Sequence, residues 1–434
     1  MKIKTLRLDG CTLEGGGQLI RIALALSALT NQPVTIDHIR ANRNGKKGLK
    51  GSHLAAVKFL AEVSNSVVEG AEIGSTSLSF HPPGTSAMQK RPIQQRYNIC
   101  LSTPGSVFLV LQALYPYLLH VGGLASVTDA IRVNITGGTN VSFSPSFDYI
   151  AQVLCPNFER LGLPRLSVQL DKRGWGTGPM DLGTVSCFVH PMSAGEKPER
   201  ASDYGFPFID LHNHVRGKVT QIDVTVLAPD NVIHARNEDK LTVLEFIESE
   251  TIQELRRRLP ELPFWIFQIP GPKTAVPIQI RTSERTYHPS QTYMLIVAHT
   301  STGFRIGRDA LSGETKGTST RSRHKGKKNQ CKDDEPSPIH QLMKRCIDRF
   351  LNELYNPSLE EEHSHQPRKH QPCVDEYMRD QLVIFEALRK VPSPRKEEQE
   401  QVSRTNTTTE DERYWSLHTQ TARWVCEQVL GVEW

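Results

Sequence analysis

Four consecutive residues, His418-Thr419-Gln420-Thr421, open an apolar run of helical period made by Ala422, Val425, Cys426, Val429 and Leu430. They follow Tyr414-Trp415-Ser416-Leu417, so a histidine is expected where a strand hands over to a helix N-terminus. The first turn of a helix aims free N–H groups and the positive end of its dipole outward, which suits a phosphate. An imidazole placed there can attack phosphorus as a nucleophile. It can equally serve as a helix cap or a core side chain.

A second candidate is Glu14-Gly15-Gly16-Gly17-Gln18 at the start of another helix-periodic run. Three glycines let the backbone approach a phosphate or another strand closely. Arg21 follows Gln18 by three residues and shares its helix face. Arg40 and Arg43 come just after a strand-like segment and add two fork donors. A glutamate among several arginines suits a phosphate site with a metal option. A bare tight turn and surface ion pairs are the plainer alternative. In Asp375-Glu376-Tyr377-Met378-Arg379-Asp380-Gln381-Leu382, Tyr377 can stack on a base, and Asp380 and Gln381 can make polar contacts. The acidic start also reads as ordinary capping. His363, His365 and His370 have the look of a metal tract, but they sit in a polar, charged stretch with little cysteine support.

The elements that would position these groups alternate between strand and helix. Strand-like Ile3 to Leu8 precedes the glycine run, and a helix through Leu19, Ile22, Leu26 and Leu29 follows it. Strand Val34 to Ile39, helix His53 to Val63 and strand Ser77 to Phe80 complete a unit. The order recurs: strand Tyr97 to Leu101, helix Val107 to Leu119, strand Ala130 to Ile135, the turn Gly137-Gly138-Thr139 and helix Tyr149 to Leu161. Helix Tyr377 to Leu388 and the His418 helix form a third, looser unit. The class is therefore α/β or α+β, with three repeated βα units. From Thr184 the texture changes to a separate α/β segment with strands at Gln221 to Leu227, Ile278 to Thr282 and Tyr293 to Ala298, and a helix from Leu241 to Arg258. The expected division is 1–183, an inserted α/β domain at 184–311, a polar and largely disordered insertion at 312–371 with one helix (Ile339 to Leu354), and a return to the main domain at 372–434. A second polar insertion at 391–413 falls just before His418.

The chain has 434 residues, 38% hydrophobic and 23% charged, with a net charge of +5. Such a composition can bury a core, and its mild basicity permits a phosphate-rich partner without demanding one. The 8 cysteines form no CxxC pair, and Met1-Lys2-Ile3-Lys4 does not read as a secretory signal. Reduced thiols in an intracellular compartment are expected. No apolar run approaches the ~20 residues of a membrane span, so no membrane partner is expected. Arg321 to Lys328 reads as a nuclear localisation patch or a solvated basic loop, leaving nucleus and cytoplasm both open.

Taken together, these pieces resemble the RNA 3′-terminal phosphate cyclase family. The matching runs, in family order, are Leu8-Asp9-Gly10 with Glu14 to Arg21, Ile39 to Arg43, Glu69 to Thr76, Gly105-Ser106 with Leu111-Gln112, Gly137 to Asn140, Asp375 to Leu382 and Leu417 to Thr421. The resemblance implies a main domain of three repeated βα units with a smaller α/β domain inserted. It implies ATP as a substrate, Mg2+ as the accompanying cation and an RNA bearing a 3′-phosphate as partner. His418 then resembles the nucleophile that carries AMP. Pro145 and Tyr377 resemble the pair that sandwiches adenine, with Tyr149 nearby. Gln112 and the segment Tyr377, Met378, Arg379, Asp380 and Gln381 resemble the nucleotide contacts. Glu14 resembles the metal-site acid, and Gln18, Arg21, Arg40 and Arg43 the lining for phosphates and the RNA end.

Several positions depart from the pattern. Gly51-Ser52 stands before His53, Thr103-Pro104 before Gly105-Ser106, and the segment between Leu388 and His418 is long. A cyclase-like, non-catalytic RNA-binding factor of ribosomal RNA processing is the alternative, and its branch lacks the histidine that this chain keeps. Oligomeric state is not legible.

Overall fold

A computed structural model describes residues 4–43, 45–83, 92–125, 129–192, 204–234, 240–268, 275–313, 337–357, 370–391 and 410–434. Residues 314–336, 358–369 and 392–409 of the polar insertions, with the basic run Arg321 to Lys328, His363 and His365 among them, fall outside these residues.

The first two expected units each begin with a strand feeding a helix through a glycine-bearing turn. β1 (Leu6–Asp9), α1 (Gly17–Thr30), β2 (Val34–Asp37), α2 (Gly51–Ser64), β3 (Val67–Glu69) and β4 (Leu78–His81) form the first. Its strands lie in the order β1-β2-β4-β3, with β1 parallel to β2 and the other pairs antiparallel. The second unit repeats this plan. β5 (Arg96–Cys100), α3 (Val107–Leu124), β6 (Ile131–Gly137), the helical stretch α4 (Phe147–Tyr149) to α5 (Cys155–Arg160), β7 (Leu166–Lys172) and β8 (Gly183–Val189) give the order β5-β6-β8-β7. The helix expected at Tyr149 to Leu161 is split by a wider π turn at Ile150–Leu154. α3 is 18 residues long, apolar, and long enough by length and composition to cross a membrane, yet most of it is buried inside the fold.

Another plan governs the next segment. β9 (Val219–Pro229), the small hairpin β10 (Val232–His234) and β11 (Lys240–Thr242), α6 (Val243–Arg258), β12 (Ile278–Thr286), β13 (Tyr293–Thr300) and β14 (Arg305–Leu311) follow. The four-stranded sheet has the order β12-β9-β13-β14, unlike the two repeats. Side chains alternate across a strand. Tyr293, Leu295 and Val297 therefore join the main core, while Met294, Ile296 and Ala298 face a second core with Ile247, Leu255, Ile347 and Phe350. That second core is covered by α6 and by α7 (Pro338–Leu354).

Two boundaries differ from the sequence reading. Thr184 does not start a separate segment, because β8 is hydrogen-bonded between β6 and β7 in the second sheet. The helix expected within the polar insertion is α7, whose apolar face completes the second core. The third repeat contributes α8 (Glu376–Lys390) and α9 (Leu417–Leu430), with no named strand of its own among the described residues. α9 packs on α1 and on α8, which brings the last helix beside the first.

Candidate active site

Two helix N-termini meet here, and the local sequence explains both. At α1, Gly15 takes φ +58, and a Cβ on it would lie 1.7 Å from the Gly10 carbonyl oxygen. Only glycine tolerates that combination. A Cβ on Gly17 would fall 2.6 Å from Arg21 Nη1 and 2.7 Å from His53 Nε2, so its bareness leaves room for both groups. Gly16 occupies the N-cap position and offers no capping side chain. The first-turn amides of α1 keep their capacity to bind an anion.

At α9, the Ser416 hydroxyl caps the helix by accepting the Thr419 N–H at 3.2 Å. A short 3-10 turn, Glu412–Tyr414, precedes the cap, where a strand was expected. His418 is the second residue of the helix, and its side chain is 50% exposed. Its Nδ1 lies 3.1 Å from Glu14 Oε2. The other Glu14 oxygen pairs with Arg43. Thr421 ties the two helices together, since its hydroxyl accepts the Glu14 backbone N–H at 3.2 Å. Burial holds the His418 imidazole below its ordinary titration range; the Arg21 and Arg43 charges add to this and Asp380 opposes it. The ring is then neutral near pH 7. A proton on Nδ1, facing the carboxylate, leaves the Nε2 lone pair for a nucleophilic role.

Beneath this pair lies a buried cation. Arg21 is 6% exposed and donates from Nη2 to Gln18 Oε1 at 2.6 Å. Gln112 Nε2 donates to the same oxygen at 3.5 Å. Arg21 Nε, Gln18 Nε2 and Gln112 Oε1 are buried with no hydrogen-bond partner. Burial pushes the Arg21 guanidinium down to about 10, and Asp380 works against that, so it remains charged at neutral pH. Buried polar atoms in native folds are nearly always satisfied. A buried guanidinium held by a neutral glutamine, with an unpartnered donor of its own, has the chemistry to receive an anion. Asp380 completes the group. Burial raises its carboxyl, His418 pulls it back, and Gln381 Nε2 donates to it at 2.8 Å.

α8 is set in place by a polar network below it. Asp375 caps the helix, accepting the Met378 N–H at 3.0 Å, the Tyr149 hydroxyl at 2.5 Å and the Gly307 N–H at 2.9 Å. Burial pushes the Asp375 carboxyl up to about 6, with Arg308 opposing. Arg308 also pairs with Glu353 and Glu376, and its guanidinium lies 4.2 Å from the Tyr377 ring centre.

The sequence-derived residues thus divide. Glu14, Gln18, Arg21, Arg43, Gln112, Asp380 and His418 form one cluster. Pro145, Gln112 and Gln381 line an adjoining apolar cleft of about 30 Å3 with Tyr115, Phe158 and Phe385. Tyr377 is not among its walls. Tyr149 is buried, with its hydroxyl committed to Asp375. Met378 is core, and Arg379 is buried in ion pairs to Glu386 and Glu410. These three sit on the inward side of α8 and its support, so they hold the site from behind. Arg40 turns its guanidinium to the Lys46 carbonyl at 2.7 Å and braces the loop that carries Arg43.

One residue carries more than its sequence context shows. His53 is buried beside Arg21, and its Nδ1 accepts the Lys50 N–H at 3.3 Å. Burial and the charges of Arg21, Arg40 and Lys50 push it down to about 3. It is a neutral imidazole whose Nε2 lies beside Gly17. Nothing in its neighbours along the chain signals this.

Comparison with known proteins identifies the family. A family model for RNA 3′-terminal phosphate cyclase matches residues 12–434. The chain belongs to that family. Among curated proteins, the RNA 3′-terminal phosphate cyclase of Thermococcus gammatolerans is 41% identical over 191 residues, covering 44% of this chain and 50% of that protein. The Koribacter versatilis protein of the same name is 38% identical over 185 residues, covering 43% and 47%. That of Staphylothermus marinus is 36% identical over 233 residues, covering 52% and 60%. The chain spans about half the length of the curated relatives it matches.

Proposed function

We propose that this chain converts an RNA 3′-phosphate to a 2′,3′-cyclic phosphodiester at the expense of ATP. The observation that carries this reading is a neutral, half-exposed His418 set 3.1 Å from Glu14 and beside a buried Arg21 that makes no salt bridge among the described residues. His418 Nε2 attacks the α-phosphorus of ATP, the bond to the bridging oxygen breaks, and pyrophosphate leaves. The Glu14 carboxylate, 3.1 Å from Nδ1, stabilises by its charge the cationic ring of the adduct. Arg21, the α1 amides and Arg43 are the donors that would take the phosphate oxygens.

An oxygen of the RNA 3′-phosphate next attacks the histidine-bound phosphorus. The imidazole leaves neutral, and the RNA end becomes a mixed anhydride with AMP. The neighbouring 2′-hydroxyl then attacks the 3′-phosphorus, loses its proton and expels AMP. Activation turns an oxide leaving group into a nucleotide, which is the reason to invest ATP.

The residues fit a magnesium ion carried with the triphosphate. Glu14 would hold it, since its Oε2 is a buried carboxylate oxygen that accepts no hydrogen bond among the described residues. Bound there, the ion supplies charge neutralisation on the phosphates. An RNA oligonucleotide ending in a 3′-phosphate, incubated with the protein, ATP and magnesium, should acquire a phosphatase-resistant end with release of AMP. A terminal phosphate that stays phosphatase-sensitive would end this reading.

A further inference from the structure

Asp9, Cys11 and His38 come together from two loops at the edge of the first sheet, outside the set of residues just used. Their ligand atoms lie within 4.8 Å of one another, and all three side chains are exposed. Asp9 Oδ1 is 3.0 Å from His38 Nδ1. We propose that these residues bind a thiophilic divalent cation of the zinc class, which clamps the loop after β1 to the loop after β2.

The donor set decides the class of ion. A thiolate, an imidazole and a carboxylate suit zinc and disfavour magnesium or calcium, which take oxygen ligands. Three protein ligands with one side open to solvent are the pattern of an accessible tetrahedral site. Zinc bonds of ~2.0–2.3 Å place tetrahedral ligands roughly 3.3–3.8 Å apart, so side-chain rotation alone brings these atoms into range.

The scaffold is already built. Gly10 N–H donates to the Asp37 carbonyl at 2.8 Å, and a Cβ on Gly10 would lie 2.5 Å from the His38 carbonyl oxygen. The two loops therefore run in backbone contact. Asn42 Nδ2 donates to the Cys11 carbonyl at 2.7 Å, and Arg40 N–H to the Gly15 carbonyl at 2.9 Å. The Asp9 carboxylate is fixed by the Cys11 N–H at 2.8 Å. A cation here would tie the segment leading to Glu14 to the segment leading to Arg40 and Arg43. The competing description is a surface Asp9–His38 ion pair with a bystander thiol.

Cobalt separates the two. The full chain, stripped of metal and kept reduced, is titrated with Co2+ while the near-ultraviolet thiolate-to-cobalt absorption is followed. One equivalent should bind with that band; C11S should lose the band, and H38Q should bind at least ~10-fold more weakly. Zinc should displace the cobalt and raise the thermal midpoint of the unsubstituted protein but not of C11S. All three side chains are exposed, so the variants should fold, which circular dichroism checks. A missing band, or one unchanged in C11S, overturns the site. No ATP or RNA is involved, so that failure would leave the cyclase reading standing.

Discussion

The hydroxyl of Thr421 accepts the backbone N–H of Glu14 at 3.2 Å, joining two residues 407 apart. Through this bond the helix bearing His418 is registered against the turn bearing its carboxylate partner. T421V should leave the buried Glu14 amide unsatisfied and cost about 1–2 kcal/mol in chemical denaturation. It should also slow nucleotidyl transfer, while T421S keeps both properties. Equal loss in both variants would contradict a hydrogen-bonding role.

Arg21 is buried with the Gln18 side-chain oxygen as its hydrogen-bond partner and its Nε unpartnered among the described residues. R21M removes a buried charge that makes no salt bridge among the described residues and leaves Asp380 with less compensation, so folding stability without ATP should change by no more than about 1 kcal/mol. ATP affinity should fall on the order of 30–100-fold, or about 2–3 kcal/mol. Calorimetric titration and denaturation of the same samples check both. A large loss of stability with ATP binding intact would reverse the assignment.

Arg379 should behave in the opposite way. Its guanidinium serves Glu386 and Glu410, both buried. R379A strands Glu386 and leaves Glu410 only its longer contact to Arg423, and should destabilise the fold by about 3 kcal/mol. The ATP affinity of the fraction that remains folded should stay within a few-fold. A nucleotide-contacting arginine would show the reverse split.

His53 predicts an acid sensitivity. Its titration point is 6.5 in an ordinary setting and about 3 in the fold. Stability from keeping it neutral is fully present above 6.5 and is lost as pH falls toward 3. Over pH 6.5 to 5 the loss from this group is about 2 kcal/mol. H53N should flatten that part of the stability curve, measured by urea unfolding across the same range. A curve unchanged by the substitution would show that His53 is not the group responsible.

Helical periodicity and glycine placement made α1, α2, α3, α8 and α9 readable, along with the βα order of the first two units. Strands were harder where tertiary contacts override local pattern. β14 carries Arg305, Arg308 and Asp309 in seven residues, and it becomes legible as a strand only once Glu353 and Glu376 are seen pairing with Arg308. β8 was placed in the wrong segment because its partners β6 and β7 are non-adjacent or reached by a long turn.

The candidate site shows the same limit. Glu14, Arg21 and His418 stand out by residue type at a helix start. Tyr377 to Gln381 read as one contact run, yet a helix distributes five consecutive residues around its axis. Asp380 and Gln381 face the site while Met378 and Arg379 face the core. Asp9, Cys11 and His38 carry no metal-ligand spacing, because the backbone contact between their loops exists only in the folded chain.

The most direct test of the His418 mechanism uses ATP labelled at the α-phosphate, with magnesium and no RNA. The protein should acquire one covalent label that is lost in acid and retained in alkali, as a phosphorus–nitrogen bond to histidine requires. H418A should acquire none. Absence of label on the unsubstituted protein, or its persistence in H418A, would contradict His418 as the nucleophile.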